Sequence, residues 1–246
     1  MTALARLTAT EMKLFFREPV GVFFTLAFPP LLLVVLGLVP DFREPQEQFG
    51  GLRTIDLYAP ILVAMGIAML AMNGLPQQFA VNREKGVLRR MRTTPVRPAV
   101  MLGAQLLVSL LMSLVTMLLV LAIARTAFDV RLPERQPAYL AAYLLCASAM
   151  FALGLLVASL VPNGKSAGAA GSVLFFPILF FAGLWLPRDQ MNDVLRTISD
   201  FTPLGAGVQS LQDAAAGDWP QLLHVAVMLG WTVAAGGLAA RYFRWE

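Results

Sequence analysis

The residue types that carry covalent chemistry are scarce in this chain and poorly spaced for it. A Gly-Lys-Ser tripeptide, Gly164–Ser166, has the last three residues of the phosphate-cradling pattern G-x-x-x-x-G-K-[ST], but Ser159 stands where the first glycine belongs. The tripeptide falls in a short turn between two apolar runs with no strand before it, so nucleotide hydrolysis is not expected here, and Lys165 reads as a membrane-interface anchor. The lone histidine, His224, has no second His, Cys or acid at ligand spacing and reads as a packed imidazole near an interface. The one cysteine, Cys146, cannot close an internal disulfide and reads as a small buried hydrophobe. No carboxylate pair lies within an apolar run, which argues against a proton relay, and no Ser/His pair or HExxH motif supports intramembrane proteolysis. The chain is expected to be no enzyme and to hold no metal or cofactor of its own.

The residues that remain conspicuous suit binding. Segment 79–98, FAVNREKGVLRRMRTTPVRP, sets Arg83, Lys85, Arg89, Arg90, Arg92 and Arg97 against one acid, Glu84. Gly86 interrupts its helix, Val87, Leu88 and Met91 form a small apolar edge, and Pro95 and Pro98 end it. A basic amphipathic segment of this kind is a docking surface for anionic lipid or for a protein. Segment 1–18 has helical periodicity, with Arg6, Thr10, Lys13 and Arg17 on one stripe and Leu4, Leu7, Leu14 and Phe15 opposite, as expected of a helix lying in a membrane interface. Glu11 falls within its apolar sector and requires a partner, for which a cation of the basic loop is the expected source. Met65, Met69, Asn73 and Gln77 recur at i+4, giving a stripe of flexible thioethers and two amides that should avoid hydrocarbon. Ser172, Phe175, Phe176 and Leu179 follow the small-residue run SAGAAGS at 166–172, where helices can approach closely. Together these eight residues are the expected substrate path.

Positioning all of this falls to membrane helices. The chain of 246 residues is 58% hydrophobic and only 14% charged, with a mean hydropathy of +0.69, whereas soluble domains carry about 25% charged residues. Residues 20–39, 57–75, 99–124, 138–161, 168–186 and 219–240 contain no charge at all. Each is close to the roughly 20 residues a helix needs to cross about 30 Å of hydrocarbon. The expected fold is therefore all-α, a single polytopic membrane domain over 1–246 with six transmembrane helices. Three elements join the spans: the interfacial helix 1–18, the loop 82–98 and an amphipathic outer segment 187–218. A transmembrane barrel would need alternating segments of about ten residues, and the first apolar run is too long and too late to read as a cleaved signal sequence. Segments 1–19, 76–98, 162–167 and 241–246 hold 12 Lys/Arg and four acids, and the alternate segments hold seven and 11. The positive-inside rule then expects both termini in the cytoplasm, and the net charge of +4 becomes a membrane asymmetry rather than a nucleic-acid footprint. Trp185 and Trp219 at one side, and Tyr242, Phe243 and Trp245 at the other, read as interface anchors.

The sequence resembles the permease subunits of ATP-binding-cassette exporters of the second type. The likeness rests on the interfacial helix ending in FFREP, on NREKGVLRRMRTTPVRP with its pattern R-E-x-G-x-x-x-x-x-R-x-T-P at 83–95, and on GLWLPRDQMNDVLRTISDFTPLGAGVQSLQDAAAGDWP before the last span. One departure is Asn192, where many members carry proline. The resemblance implies that Arg83, Glu84, Lys85, Gly86, Leu88, Arg89, Arg90 and Arg92 belong to a helix that fits a groove of a separate nucleotide-binding ATPase subunit, with ATP and Mg held there. It implies Glu11, Lys13 and Arg17 beside that helix, a second permease copy in a two-plus-two assembly, and residence in the cell inner membrane. Hydrophobic or amphipathic cargo (a drug, a lipid or a lipopeptide) would leave through the dimer centre. The alternative from a different class is a non-transporting membrane scaffold or immunity protein.

Overall fold

A computed structural model describes residues 3–49, 51–87 and 98–242. Leu88, Arg89, Arg90 and Arg92 of the expected docking helix, and Phe243 and Trp245 of the aromatic belt, lie outside the described residues. The described residues are mostly helical, with no sheet among them, and six of the helices are long and apolar enough to cross a membrane. Before them runs α1 (Ala3–Phe16). The spans are α2 (Pro19–Gly37), α3 (Thr54–Glu84), α4 (Pro98–Phe128), α5 (Gln136–Leu160), α6 (Gly164–Phe181) and α9 (Leu222–Tyr242). Between α6 and α9 lie two short helices, α7 (Asp193–Phe201) and α8 (Pro203–Ala215). The two ends of the bundle differ in charge: a basic end carries α1 and the last turn of α3 with Arg83 and Lys85, and an acidic end carries α7 and α8.

Several helix boundaries differ from those expected, and those at the ends of α3, α4, α6 and α9 have a physical reason. Apolar runs mark contact with lipid, whereas a helix can continue past the hydrocarbon once its backbone bonds are made. So α3 runs to Glu84 rather than stopping at 75, and α4 continues through Arg125 to Phe128. α6 starts at Gly164, because Asn163 caps it by accepting the Ser166 N–H at 2.8 Å, and ends before Gly183, whose φ is +90°. α9 starts at Leu222, since Gly217 (φ +98°) and Pro220 hold the preceding residues in a turn.

At the centre of the bundle is α3: 83% of its apolar window is buried, against 28% for α2 and α6 and 22% for α9. Its middle, Leu70–Gly74, widens into a single π-helical turn. Such a turn adds a residue and exposes carbonyls sideways, and here two glycines close on it. A Cβ on Gly154 of α5 would lie 2.1 Å from the Ala71 carbonyl oxygen, and one on Gly171 of α6 would lie 2.1 Å from that of Met72. On α6 the buried positions are Gly164, Ala167, Gly171, Phe175 and Leu179, a single stripe. Its small N-terminal half lets the backbones approach, and its large half fills the space beyond them. Lipid is as apolar as leucine, so this close van der Waals fit, rather than escape from water, is what holds the spans together. A second π turn, Phe23–Ala27 in α2, is met from α4: the Thr116 hydroxyl lies 2.9 Å from the Thr25 carbonyl and 3.0 Å from that of Met112.

Candidate functional site

At the basic end, three helices meet around the last turns of α3. Arg83 donates to the Val161 carbonyl at the end of α5, and Glu84 Oε1 accepts the Gly164 N–H at 3.3 Å. The first bond satisfies a carbonyl that the helix end leaves open, and the second sets a carboxylate at the N-terminus of α6, where the helix dipole favours it. Residues 83–84 thereby clamp the turn between the fourth and fifth spans to the root of the 85–97 segment. The helix then stops: Gly86 has φ +64°, a left-handed conformation that costs a glycine nothing, and its N–H closes on the Arg83 carbonyl at 3.0 Å. Lys85 lies in this terminating turn. Of the resemblance-implied docking residues, the structure thus brings Arg83 and Glu84 onto the turn between α5 and α6, with Lys85 and Gly86 beside them.

Glu11 is 5% exposed on α1. Its partners among the described residues are two amides: Gln78 Nε2 of α3 at 2.8 Å and, more weakly, Gln105 Nε2 of α4 at 3.5 Å. These are neutral donors, which a helix face packed on two other helices can supply without desolvating a second charge; Arg89, Arg90, Arg92 and Arg97, the cations expected as partners, lie outside the described residues. Burial pushes the Glu11 carboxyl above the ordinary carboxylate value, and the Gln105 hydrogen bond only partly opposes this. The sign follows directly. A carboxyl raised on folding contributes most in its protonated state and loses that contribution as pH rises through its folded value. Glu11→Gln is therefore expected to hold or raise the thermal midpoint at pH 7.5, and Glu11→Lys to lower it by several degrees, with Glu18→Lys close to wild type because Glu18 is exposed. Thermal unfolding of the purified variants checks all three. Lys13 and Arg17 lie on α1 and in the turn that follows it, where both are exposed.

The expected substrate path divides. Met65 (2% exposed), Phe175 (8%) and Leu179 (1%) are packed inside the protomer. Ser172, Gln77 and Phe176 (58% exposed) lie on its surface, and Met69 and Asn73 are intermediate. The i+4 stripe from Met65 to Gln77 does not stay on one face, because the π turn at Leu70–Gly74 shifts the register by a residue. Asn73 turns toward α6, its Oδ1 3.3 Å from where a Cβ of Gly171 would stand.

At the acidic end, α7 is capped by Asn192, whose side chain accepts the Leu195 N–H at 2.9 Å, so asparagine starts this helix. Its orientation is inverted relative to a soluble amphipathic helix. Val194, Ile198 and Phe201 face outward, while Ser199 donates to the Phe181 carbonyl at 2.6 Å and Arg196 to the Asp189 carbonyl at 3.0 Å. Asp200 accepts both Arg188 Nη groups, one at 2.9 Å, and lies 3.1 Å from His224 Nε2 of α9. Burial acts to raise the Asp200 carboxyl, yet the hydrogen bonds and charge of Arg188 and His224 outweigh it and hold it below the ordinary value. Sequence spacing could not find this cluster, because Asp200 and His224 are 24 residues apart on different helices. The one available signal was a histidine placed at the start of an apolar run. After α7, α8 is no surface helix: Leu204, Ala206, Val208, Leu211 and Ala214 are all buried.

The family model described as "ABC-2 type transporter" matches residues 2–215. The chain is also similar to the "Putative transport permease YvfS" of Bacillus subtilis (strain 168), at 22% identity over 233 residues covering 91% of each chain.

Proposed function

Because the chain belongs to the ABC-2 type transporter family, we propose that it is the membrane subunit of an ATP-driven exporter, powered by a separate nucleotide-binding subunit that holds ATP and Mg. The observation that carries this reading is the clamp at the basic end. Arg83 and Glu84 tie the root of the 85–97 segment to the turn between the fourth and fifth spans, so a partner that pulls on Arg89, Arg90 and Arg92 pulls on two spans at once. Both termini are then cytoplasmic in the cell inner membrane, and the acidic end faces outward. Two copies with two ATPases form the working unit. The sparsely covered faces of α2 and α6 meet across the twofold axis, with Ser172 and Phe176 on the cargo path and Gln77 and Asn73 toward its cytoplasmic entrance. Met65, Phe175 and Leu179 support that surface from behind. An exposed phenylalanine beside a small-residue stripe suits hydrophobic or amphipathic cargo, a drug, lipid or lipopeptide, better than a charged polymer.

Affinity purification from native membranes tests this. The expected result is an ATPase subunit in about equal amount, with cysteine at Phe176 in a Cys146→Ala background crosslinking to a second copy. Recovery of the chain without any ATPase would favour the scaffold reading.

A further inference from the structure

Among the buried polar atoms at the acidic end without a partner among the described residues are Nδ1 of His224 and Oδ2 of Asp213, together with the Ser210 hydroxyl of α8. His224 is 2% exposed, and its other nitrogen, Nε2, is committed to Asp200 at 3.1 Å. Asp200 also takes both arms of Arg188, which assigns the Nε2 proton to the Asp200 bond and leaves Nδ1 as the open basic atom. Asp213, on α8, receives the backbone N–H of Gln221 and interacts electrostatically with His224, Arg188 and Asp218. The cluster therefore sets two carboxylates, Asp200 and Asp213, against one permanent cation, Arg188. The other ionic groups near it are accounted for: Glu134 lies against Gly217, and Arg135 stacks on Trp219, both on the loop that follows α8. Asp200, Asp213 and Arg188 together carry one excess negative charge at partly buried positions, while Asp218 beside Asp213 is exposed to solvent. One further proton cancels that charge and satisfies an atom that now has no partner.

We propose that Arg188, Asp200, Asp213 and His224 form a proton-binding site that latches α7 and α8 to the sixth span. The proton resides on Asp213 Oδ2, a buried atom without a partner among the described residues, and is bound when the outer segment is closed. Its release leaves an uncompensated carboxylate between α8 and α9 and loosens the segment. Burial raises the Asp213 carboxyl above its ordinary value, so the stability it contributes is present at low pH and is lost as pH rises through the folded value. Asp200 is shifted the other way and titrates only at more acidic pH. The site does not depend on the direction of transport or on the partner ATPase.

The test is the thermal midpoint of the purified full chain between pH 5.5 and 8.5, in a Glu11→Gln background that removes the one other buried carboxyl raised by burial at the basic end. The parent is expected to lose about 3 °C or more from pH 6 to pH 8, a size in keeping with one proton released from a domain of this length. Asp213→Asn, at a half-buried position where an amide fits, should flatten that slope to under about 1 °C, and His224→Gln, which keeps a donor toward Asp200, should do the same. A buried group with a purely structural role would lower the midpoint at every pH equally. A flat parent profile, or a full slope retained in Asp213→Asn, overturns the proposal. If His224→Gln does not fold, Asp213→Asn alone still decides.

Discussion

Adding one methyl group at Gly171 is expected to cost this protein about 3 kcal/mol or more, lowering its thermal midpoint by about 6 °C or more. The reason is geometric. The new Cβ would stand 2.1 Å from the Met72 carbonyl oxygen and 3.0 Å from its carbon, and backbone cannot rotate away as a side chain can. Relief requires α6 to move off the π turn of α3, which also withdraws Phe175 and Leu179 from the core. Gly154→Ala, facing the Ala71 carbonyl at the same distance, should behave alike. Gly168 and Gly237 meet nothing within 4 Å, so alanine at either should be near neutral or slightly stabilising through helix propensity. Thermal unfolding of the four purified variants in one detergent checks the contrast. Equal midpoints for Gly171→Ala and Gly168→Ala would mean that α6 does not seat on the π turn.

The second large effect concerns coupling. Arg89→Glu combined with Arg90→Glu is expected to reduce recovery of the partner ATPase, and ATP turnover of the assembly, by tenfold or more. Reversing two charges at a docking surface replaces attraction with repulsion, and such juxtaposition costs several kcal/mol. Insertion should be unaffected, because the segment keeps Arg83, Lys85, Arg92 and Arg97 as interface anchors. Unchanged turnover in a normally inserted double variant would remove this segment from the coupling role.

What the sequence could and could not disclose follows from the range of the forces involved. Charge is excluded from hydrocarbon residue by residue, so six spans are legible as six uncharged runs, to within a few positions at each end. Helix periodicity is local too, and it marked both the interfacial segment and Glu11 within its apolar sector. Periodicity does not say what lies opposite a face. The two amides that Glu11 meets, Gln78 and Gln105, were therefore not legible, and α7 turns its polar side inward because Phe181, Arg188 and His224 are there to bond it. The π turn at Leu70–Gly74 has no sequence signature that separates it from ordinary helix, and it splits the Met65–Gln77 stripe between core and surface. The Arg188–Asp200–His224 cluster exists only once the chain has folded back from the fifth span to the sixth.

Transport in inverted membrane vesicles tests the central claim most directly. Vesicles carrying this chain and its ATPase are loaded from outside with ATP·Mg and either an amphipathic fluorescent dye or a fluorescent phospholipid. An ATP-driven exporter subunit predicts ATP-dependent accumulation of at least one probe in the lumen or distal leaflet, lost in the Arg89→Glu, Arg90→Glu variant although the protein is present in equal amount. ATP-independent distribution of both probes, identical with and without the chain, would contradict the account and leave a membrane protein that binds without moving cargo.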